Sequence, residues 1–427
     1  ISPILKFKKF NLNISKRIVF EYLCRSTPPY LETFYKNIFE IEPGSILKIN
    51  MKKFKLDKVK YYKIENAWKK EKKIKNSIKA QKKISEIFNK SLKRYLIADV
   101  KKGVMLSQGI DSSLIYHKIK KKYDNKISSL TYTNDIDYSE DNFVRSFLKK
   151  TDLNYKVNAN NFFKKVTRKN IIQKLKKGII EFPINYQFAF SMFELYRLSK
   201  KKKIKVLFNG QGADEIFAGY DRFYSLLKLK KLSNKNIYYG LGYQNVNLIE
   251  KITNYSSKNF EKKNLSMKWL KNSKLNLRKK MLIFDQKFRL PSLLKLDDYM
   301  SMQNSIEVRP LYLNVDFVNY ANSLNESYKF SEKNRKQLLQ NLFKNKSLLS
   351  MGFNKKYGSI SSISSWTNSK NFKNNLRELI TKKKSLSRKY LNYKKLLDLI
   401  NIKQTNNLNF IFWSLFNLEI WYQKNSK

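Results

Sequence analysis

The sequence predicts an α/β fold, a parallel sheet with helices on both faces, followed by a mostly helical C-terminal part. Three observations predict it. Between residues 94 and 220 short apolar runs alternate with helix-period stretches, the pattern of strands joined by crossover helices. Two of those runs end in loops of glycine, serine and acid that open into a helical stretch. After Tyr220 the pattern is mostly helical to the end of the chain.

Each region supports this reading in turn. Residues 1–64 hold short apolar pieces, a Pro28-Pro29 pair and a Pro43-Gly44 turn signal, with Ile46-Leu47-Lys48-Ile49 as a predicted strand. Residues 65–93 form a lysine-rich, helix-prone connector. Gly103–Leu106, Ile127–Thr133 and Ile204–Phe208 are the clearest strands, and a parallel sheet places ligands at the carboxyl ends of its strands. Beyond Tyr220 the Lys-Lys runs read as solvated helix faces or loops, and no internal repeat is visible. The last apolar stretch, Leu408 to Tyr422, is broken by Asn417 and Glu419 and predicts a buried amphipathic helix. No apolar run approaches the roughly 20 residues needed to span a bilayer.

Composition narrows the function classes. With 42% hydrophobic and 14% aromatic residues, this chain of 427 residues can bury one large core or two ordinary ones. The formal net charge of +56 would ordinarily point to nucleic acid or an anionic membrane. The excess is mostly lysine spread along the whole length, beside heavy use of Ile, Asn, Tyr and Phe, as an AT-rich genome favours. It is therefore read as sequence-wide drift, and neither a specific nucleic-acid partner nor a membrane is expected. Cys24 is the single cysteine and His117 the single histidine, which excludes intrachain disulfides, thiolate zinc clusters and Ser–His or Cys–His triads. No basic region followed by an apolar core marks a signal peptide at the start, and a cytoplasmic location is expected.

The loop Ser107-Gln108-Gly109-Ile110-Asp111-Ser112-Ser113 follows the apolar Val104-Met105-Leu106 and precedes Leu114-Ile115-Tyr116. Backbone N–H groups at such a helix start suit a phosphate chain, and Asp111 adds a carboxylate for a phosphate-bound Mg²⁺. Taken alone, the segment also reads as an ordinary turn capped by Ser107 or Asp111. It resembles the S-G-G-x-D-S pyrophosphate loop of the ATP pyrophosphatases. The second loop, in Lys205-Val206-Leu207-Phe208-Asn209-Gly210-Gln211-Gly212-Ala213-Asp214-Glu215-Ile216-Phe217-Ala218-Gly219-Tyr220, offers another acid at a helix start. It resembles the S-G-[ED]-G-[AS]-D-E-[LI]-F-G-G-Y segment of the asparagine synthetase family. Further segments follow in that family's order: Tyr95–Val100, Arg289–Met302, Ser305–Arg309, Lys356-Tyr357-Gly358 with Trp366, and Phe412–Trp421. The resemblance spans residue 80 to the C-terminus.

That resemblance implies ATP-dependent, AMP-forming amidation of a carboxylate, most directly aspartate to asparagine, with ATP and Mg²⁺ as cofactors. Ammonia cannot displace hydroxide from a carboxylate at a useful rate, so the acid's oxygen first attacks the α-phosphorus of ATP and pyrophosphate departs. Ser107, Gly109, Ser112 and Ser113 would cradle the pyrophosphate, with Gln108, Asn209, Gly210 and Gly212 completing the two loops. Leu106 and Leu130-Thr131-Tyr132 would flank the nucleoside, and Asp111 and Asp214 would hold the metal. Lys356 would neutralise the leaving group, while Gln211 and Glu181 are the remaining catalytic candidates. The chain departs from the family pattern at Gln108, where the loop ordinarily has glycine, and at Gln211, where the family has an acid thought to handle protons on ammonia. Ser359 and Ser362 replace an aromatic residue and a proline.

Ile38-Phe39-Glu40-Ile41-Glu42-Pro43-Gly44-Ser45 is similar to the segment that closes the family's glutaminase domain, so residues 1–64 are expected to be a C-terminal remnant of an antiparallel, N-terminal-nucleophile glutaminase domain. Residues 65–427 are then the ATP-pyrophosphatase domain. The chain starts at Ile1 and Cys24 lies in a helical context, so this chain as given is expected not to hydrolyse glutamine, although its family draws ammonia from it. Two other readings stay open at this point, amidation of a surface-polysaccharide sugar acid and an RNA-binding, tRNA-modifying ATP pyrophosphatase. A homodimer is compatible with the family.

Overall fold

A computed structural model describes residues 4, 13–25, 30–69, 77–122, 127–133, 146–148, 152, 154–158, 183, 189–229, 231–241, 246–258, 264–331, 335–342, 367–401 and 406–425. Five strands form one parallel sheet: β3 (Lys102–Met105), β4 (Ser128–Thr133), β5 (Asn154–Asn158), β6 (Val206–Asn209) and β7 (Glu307–Pro310). An antiparallel hairpin, β1 (Ser45–Asn50) with β2 (Lys55–Lys60), stands apart near the N-terminus. The parallel sheet runs in the order β5-β4-β3-β6-β7. The chain lays down β3, moves outward to β4 and β5, then returns to the other side of β3 for β6 and β7. The order therefore reverses between β3 and β6, and at that switch point the loops leaving two neighbouring strands part and open a crevice.

The central strands β3 and β6 are mainly apolar because both their faces are covered. Val104, Val206 and Phe208 point into one hydrophobic cluster, and Leu130 and Leu207 into another. The first cluster is covered by α2 (Ser77–Tyr95), α3 (Ile110–Lys122), α8 (Val315–Ser323) and α9 (Gln337–Leu342). In α2, Ala80, Ile84, Phe88 and Leu92 recur every four residues and are all buried, so the predicted connector is a packed helix. Phe88 meets Tyr312 and Phe317, with ring centroids 5.7 and 6.0 Å away.

The Leu207 side is covered by α4 (Ala189–Lys201), α6 (Leu277–Phe288), α7 (Leu290–Met302), α10 (Lys370–Thr381) and the helices that follow it. Helix α1 (Lys16–Arg25) lies within this same cluster and touches the last helix, α12 (Asn406–Asn425), while Phe34 packs on Trp421 at 4.7 Å. Cys24 is fully buried there, and burial pushes its thiol well above its ordinary pKa. The expected amphipathic C-terminal helix is instead covered on every side, with each residue from Ile411 to Tyr422 buried, Asn417 and Glu419 included. Glu419 accepts hydrogen bonds from the Leu386 N–H (3.1 Å) and the Ser387 N–H (2.6 Å) at the start of α11 (Leu386–Tyr390). It thereby satisfies two N–H groups that a helix leaves unpaired. Among the described residues no helix is long and apolar enough to cross a membrane.

Candidate active site

The two glycine-containing loops leave the carboxyl ends of β3 and β6, which pair directly through Gly103–Leu207 and Val104–Phe208. The β3 loop turns into α3 at Ile110, and the β6 loop turns into α5 (Ala213–Phe217) through Gly212, whose φ of 88° is the left-handed value that favours glycine. Gly210 lets the loops touch, since a Cβ there would stand 2.7 Å from Asp111 Cβ. Each loop thus carries its acid to the same place. Asp111 and Asp214 both form ion pairs with the buried ammonium of Lys336, the Asp111 pair at 2.5 Å. Burial alone would lower the pKa of Lys336, but the two carboxylates more than offset it and hold the ammonium protonated. Gly219 leaves room for this triad, because a Cβ at that position would overlap Asp214 Oδ1 and Lys336 Cε.

The serines hold the first loop in shape. Ser107 N–H donates to Ser112 Oγ at 3.0 Å, Gly109 N–H donates to Ser107 Oγ at 3.2 Å, and Ser113 Oγ donates to the Ser107 carbonyl at 3.0 Å. Tyr312, on the short 3₁₀ turn after β7, fixes the Asp111 backbone by donating to its carbonyl at 2.9 Å. Ser113 is fully buried, so it positions the loop rather than lining the crevice; Gly109 is exposed and Gln108 half-buried.

A cavity of about 390 Å³ fills the switch point. Ser107, Asp111, Ser112, Asn209, Gly210, Gln211, Gly212 and Asp214 line its polar side, and Leu106, Leu130, Tyr132, Met192 and Leu293 its apolar side, with Arg289 also among its lining residues. The mixture of an apolar wall with a few convergent polar groups is that of a small-molecule site. Gln211 Oε1 is buried at this wall and has no hydrogen-bond partner among the described residues. A larger cavity of about 680 Å³ lies between Tyr61–Ala67, α2 and α8. It contains neither loop, and its Lys83, Lys90, Glu86 and Asp316 mix both signs of charge.

A second set of acids supports the first. Asp297, from the Arg289–Met302 segment, accepts from Asn209 Nδ2 at 2.7 Å and from the Tyr196 hydroxyl, which orients Asn209. Burial, with Asp298 adjacent, raises Asp297 to about 8. Glu215 accepts from the Tyr220 hydroxyl at 2.7 Å, and burial together with Asp214 and Asp285 raises it to about 7. Arg309 of the Ser305–Arg309 segment lies outside the crevice and ties β7 to the end of α2, donating to the carbonyls of Tyr95 (2.5 Å) and Ile97 (2.8 Å).

The structure gathers Leu106, Ser107, Asp111, Ser112, Asn209, Gly210, Gln211, Gly212 and Asp214 around one cavity. Thr131 is not among its lining residues: it alternates to the other face of β4 from Leu130 and Tyr132, is fully buried, and donates its hydroxyl to Asn154 Oδ1 at 3.2 Å. Lys356, Glu181, Ser359, Ser362 and Trp366 lie outside the described residues. Lys336 is the residue that sequence reasoning missed. Its one available signal is the need for a cation where two loops bring carboxylates together, and in a chain with 89 Lys and Arg that does not select a position.

The sheet order and the crevice define the class, a parallel α/β protein with a polar site of facing acids at its switch point. The asparagine synthase family profile matches residues 83–423, and the chain belongs to that family. It is similar to "Asparagine synthetase (glutamine-hydrolyzing) 2" of Bacillus subtilis, 25% identical over 197 residues, which are 44% of this chain and 26% of that protein. It is also similar to "Putative asparagine synthetase (glutamine-hydrolyzing) 2" of Methanocaldococcus jannaschii, 25% identical over 228 residues, 52% of this chain and 42% of the relative. The matched segments thus span less than half the length of either relative.

Proposed function

We propose that this chain catalyses the ATP-dependent, AMP-forming amidation of a carboxylate, with aspartate as the first candidate acceptor and ammonia as the nitrogen donor. The observation that carries the reading is the pair Asp111 and Asp214, facing one cation from adjacent loops at the switch point. Two carboxylates are the protein ligands that a phosphate-bound Mg²⁺ commonly takes, and among the described residues no third His, Cys, Asp or Glu joins them to build a cage for a free metal. The residues present therefore fit a metal that arrives on a nucleotide. Bound there, Mg²⁺ would neutralise charge that grows on the departing pyrophosphate.

The chain's own groups do the rest. The β3 loop and the start of α3 hold the pyrophosphate, and the wall of Leu106, Leu130 and Tyr132 receives the nucleoside. An oxygen of the acceptor carboxylate attacks the α-phosphorus and the bond to pyrophosphate breaks, leaving an acyl-adenylate. Arg289, which lines the same cavity, offers the acceptor a guanidinium. Ammonia then attacks the acyl carbon, AMP leaves with the bonding electrons, and a proton departs from nitrogen. Gln211 can accept a hydrogen bond from that nitrogen through Oε1, but an amide cannot remove the proton. The names of the two relatives include glutamine hydrolysis; in this chain Cys24 is buried and its thiol is held protonated.

The test is a product analysis with ATP, Mg²⁺, ammonium chloride and a set of carboxylic acids including aspartate. AMP, pyrophosphate and one amide should form in equal amounts, and glutamine should not replace ammonium. Cleavage of ATP to ADP, or cleavage independent of any carboxylic acid, overturns the reading.

A further inference from the structure

Lys336 has an unusual setting for a lysine. Its side chain is buried, and its backbone has a φ of 49°, where residues other than glycine are uncommon. The segment around it is pinned. The Lys336 carbonyl accepts from the Leu339 and Gln340 N–H groups (2.9 and 3.1 Å), and the Gln337 N–H donates to the Lys329 carbonyl at 3.1 Å. Arg335 pairs with Asp221 and lies 4.5 Å from the Tyr224 ring. The backbone is therefore held, so any shift of the ammonium has to come from rotation of the four-carbon stem.

We propose that the Lys336 ammonium is a built-in stand-in for the divalent cation, so that Asp111 and Asp214 accept a metal only when it arrives with phosphates that draw the ammonium away. This rests on the ATP-dependent reading above and adds a control on how the metal enters. Two carboxylates converging in a partly dry crevice repel one another unless a cation lies between them. With Lys336 in place the triad carries a net single negative charge, and its central position is filled. A bare Mg²⁺ would have to evict an ammonium whose ion pairs among the described residues are with Asp111 and Asp214 alone, and a buried unpaired ammonium is costly. Mg²⁺ bound to ATP brings the anion along, and the displaced ammonium can pair with a phosphate oxygen within the reach of its stem. Metal and nucleotide then enter together, and free metal does not load an empty site.

The experiment is a Mn²⁺ titration of the full chain, read from the loss of the free-ion electron paramagnetic resonance signal, with and without a non-hydrolysable ATP analogue. Wild type should take up one Mn²⁺ with the analogue and bind it at least about tenfold more weakly without it, a difference of about 1.4 kcal/mol. Without nucleotide, Lys336→Met should bind Mn²⁺ at least about tenfold more tightly than wild type, and adding Asp214→Asn should abolish the gain. Equal Mn²⁺ affinity of the wild type with and without analogue overturns the proposal, and that arm needs no variant to fold. So does a folded Lys336→Met with wild-type affinity. None of these readings requires turnover, so failure to amidate any acid leaves them standing.

Discussion

Two pairs of motif acids, one at the switch point and one in the packed core, are put to opposite uses. Asp111 and Asp214 point toward each other with the Lys336 ammonium between them, beside a cavity. Asp297 and Glu419 are at least as deeply buried, yet each faces fixed donors: Asn209 and Tyr196 for the first, the N–H groups that open α11 for the second. All four stand in segments that resemble one family. What separates them is the partner. An acid that faces a replaceable cation can exchange it for substrate-borne charge, whereas an acid saturated by fixed donors holds the chain in place.

The sharpest way to break the comparison is Asp214→Asn. If the switch-point pair acts on charge that grows during the reaction, AMP formation should fall by about 10²–10³-fold, the range for removing one electrostatic contact to a transition state. The far-ultraviolet circular dichroism should not change. Activity within a few-fold of wild type would place Asp214 with the structural acids. The opposite result is expected for Glu419→Ala, which leaves two buried N–H groups unpaired and should cost about 2–4 kcal/mol of stability in chemical denaturation. Activity per folded molecule should be retained. A selective loss of turnover at unchanged stability would show that the C-terminal helix reaches the chemistry.

Acidity separates the pairs further. Asp297 titrates at about 8 in the folded chain against 3.8 for an ordinary aspartate. The folded state therefore binds its proton more tightly than the unfolded state does. Its contribution to stability is fully present below about pH 4 and is lost as pH rises toward 8, by a few kcal/mol in all. Asp297→Asn, which keeps the shape and cannot ionise, should flatten that part of the stability–pH curve and match wild type only below about pH 4. A wild-type curve already flat from pH 5 to 8, unchanged by Asp297→Asn, would mean that the donors from Asn209 and Tyr196 keep Asp297 ionised.

The same contrast explains what could be read from the sequence. The central strands and the two acid-bearing loops were legible, because buried parallel strands demand apolar runs and tight loops demand glycine: Val206-Leu207-Phe208 followed by Gly210 and Gly212 signals both. The outer strands were not. Asn154-Tyr155-Lys156-Val157-Asn158 is too polar to announce β5, and β7 is a four-residue edge strand in a helical region, held by the pairing of Arg309 with the end of α2. The burial of helix α12 was legible but its all-round covering was not, because Asn417 and Glu419 sit inside the core, Glu419 on the N–H groups that open α11 and Asn417 Nδ2 on the Trp413 carbonyl. Lys336 was invisible for a different reason: its role depends on a meeting of three distant segments, which no local pattern encodes.

Thr131 offers the smallest effect and the finest test. Its strand neighbours Leu130 and Tyr132 line the cavity, so one residue separates a wall position from a sheet position. The Thr131 hydroxyl is spent on Asn154 Oδ1, which also accepts from Ser129 Oγ at 3.0 Å. Thr131→Val removes one of two donors to that oxygen and adds a methyl of similar size, so about 1 kcal/mol of stability should be lost. The KM for ATP should not move, because the side chain is fully buried away from the cavity. Leu130→Ala, beside it, should raise that KM, since it opens the apolar wall. If Thr131→Val raises the KM for ATP as much as Leu130→Ala does, β4 presents its other face to the nucleotide and the assignment of wall and sheet positions along this strand is reversed.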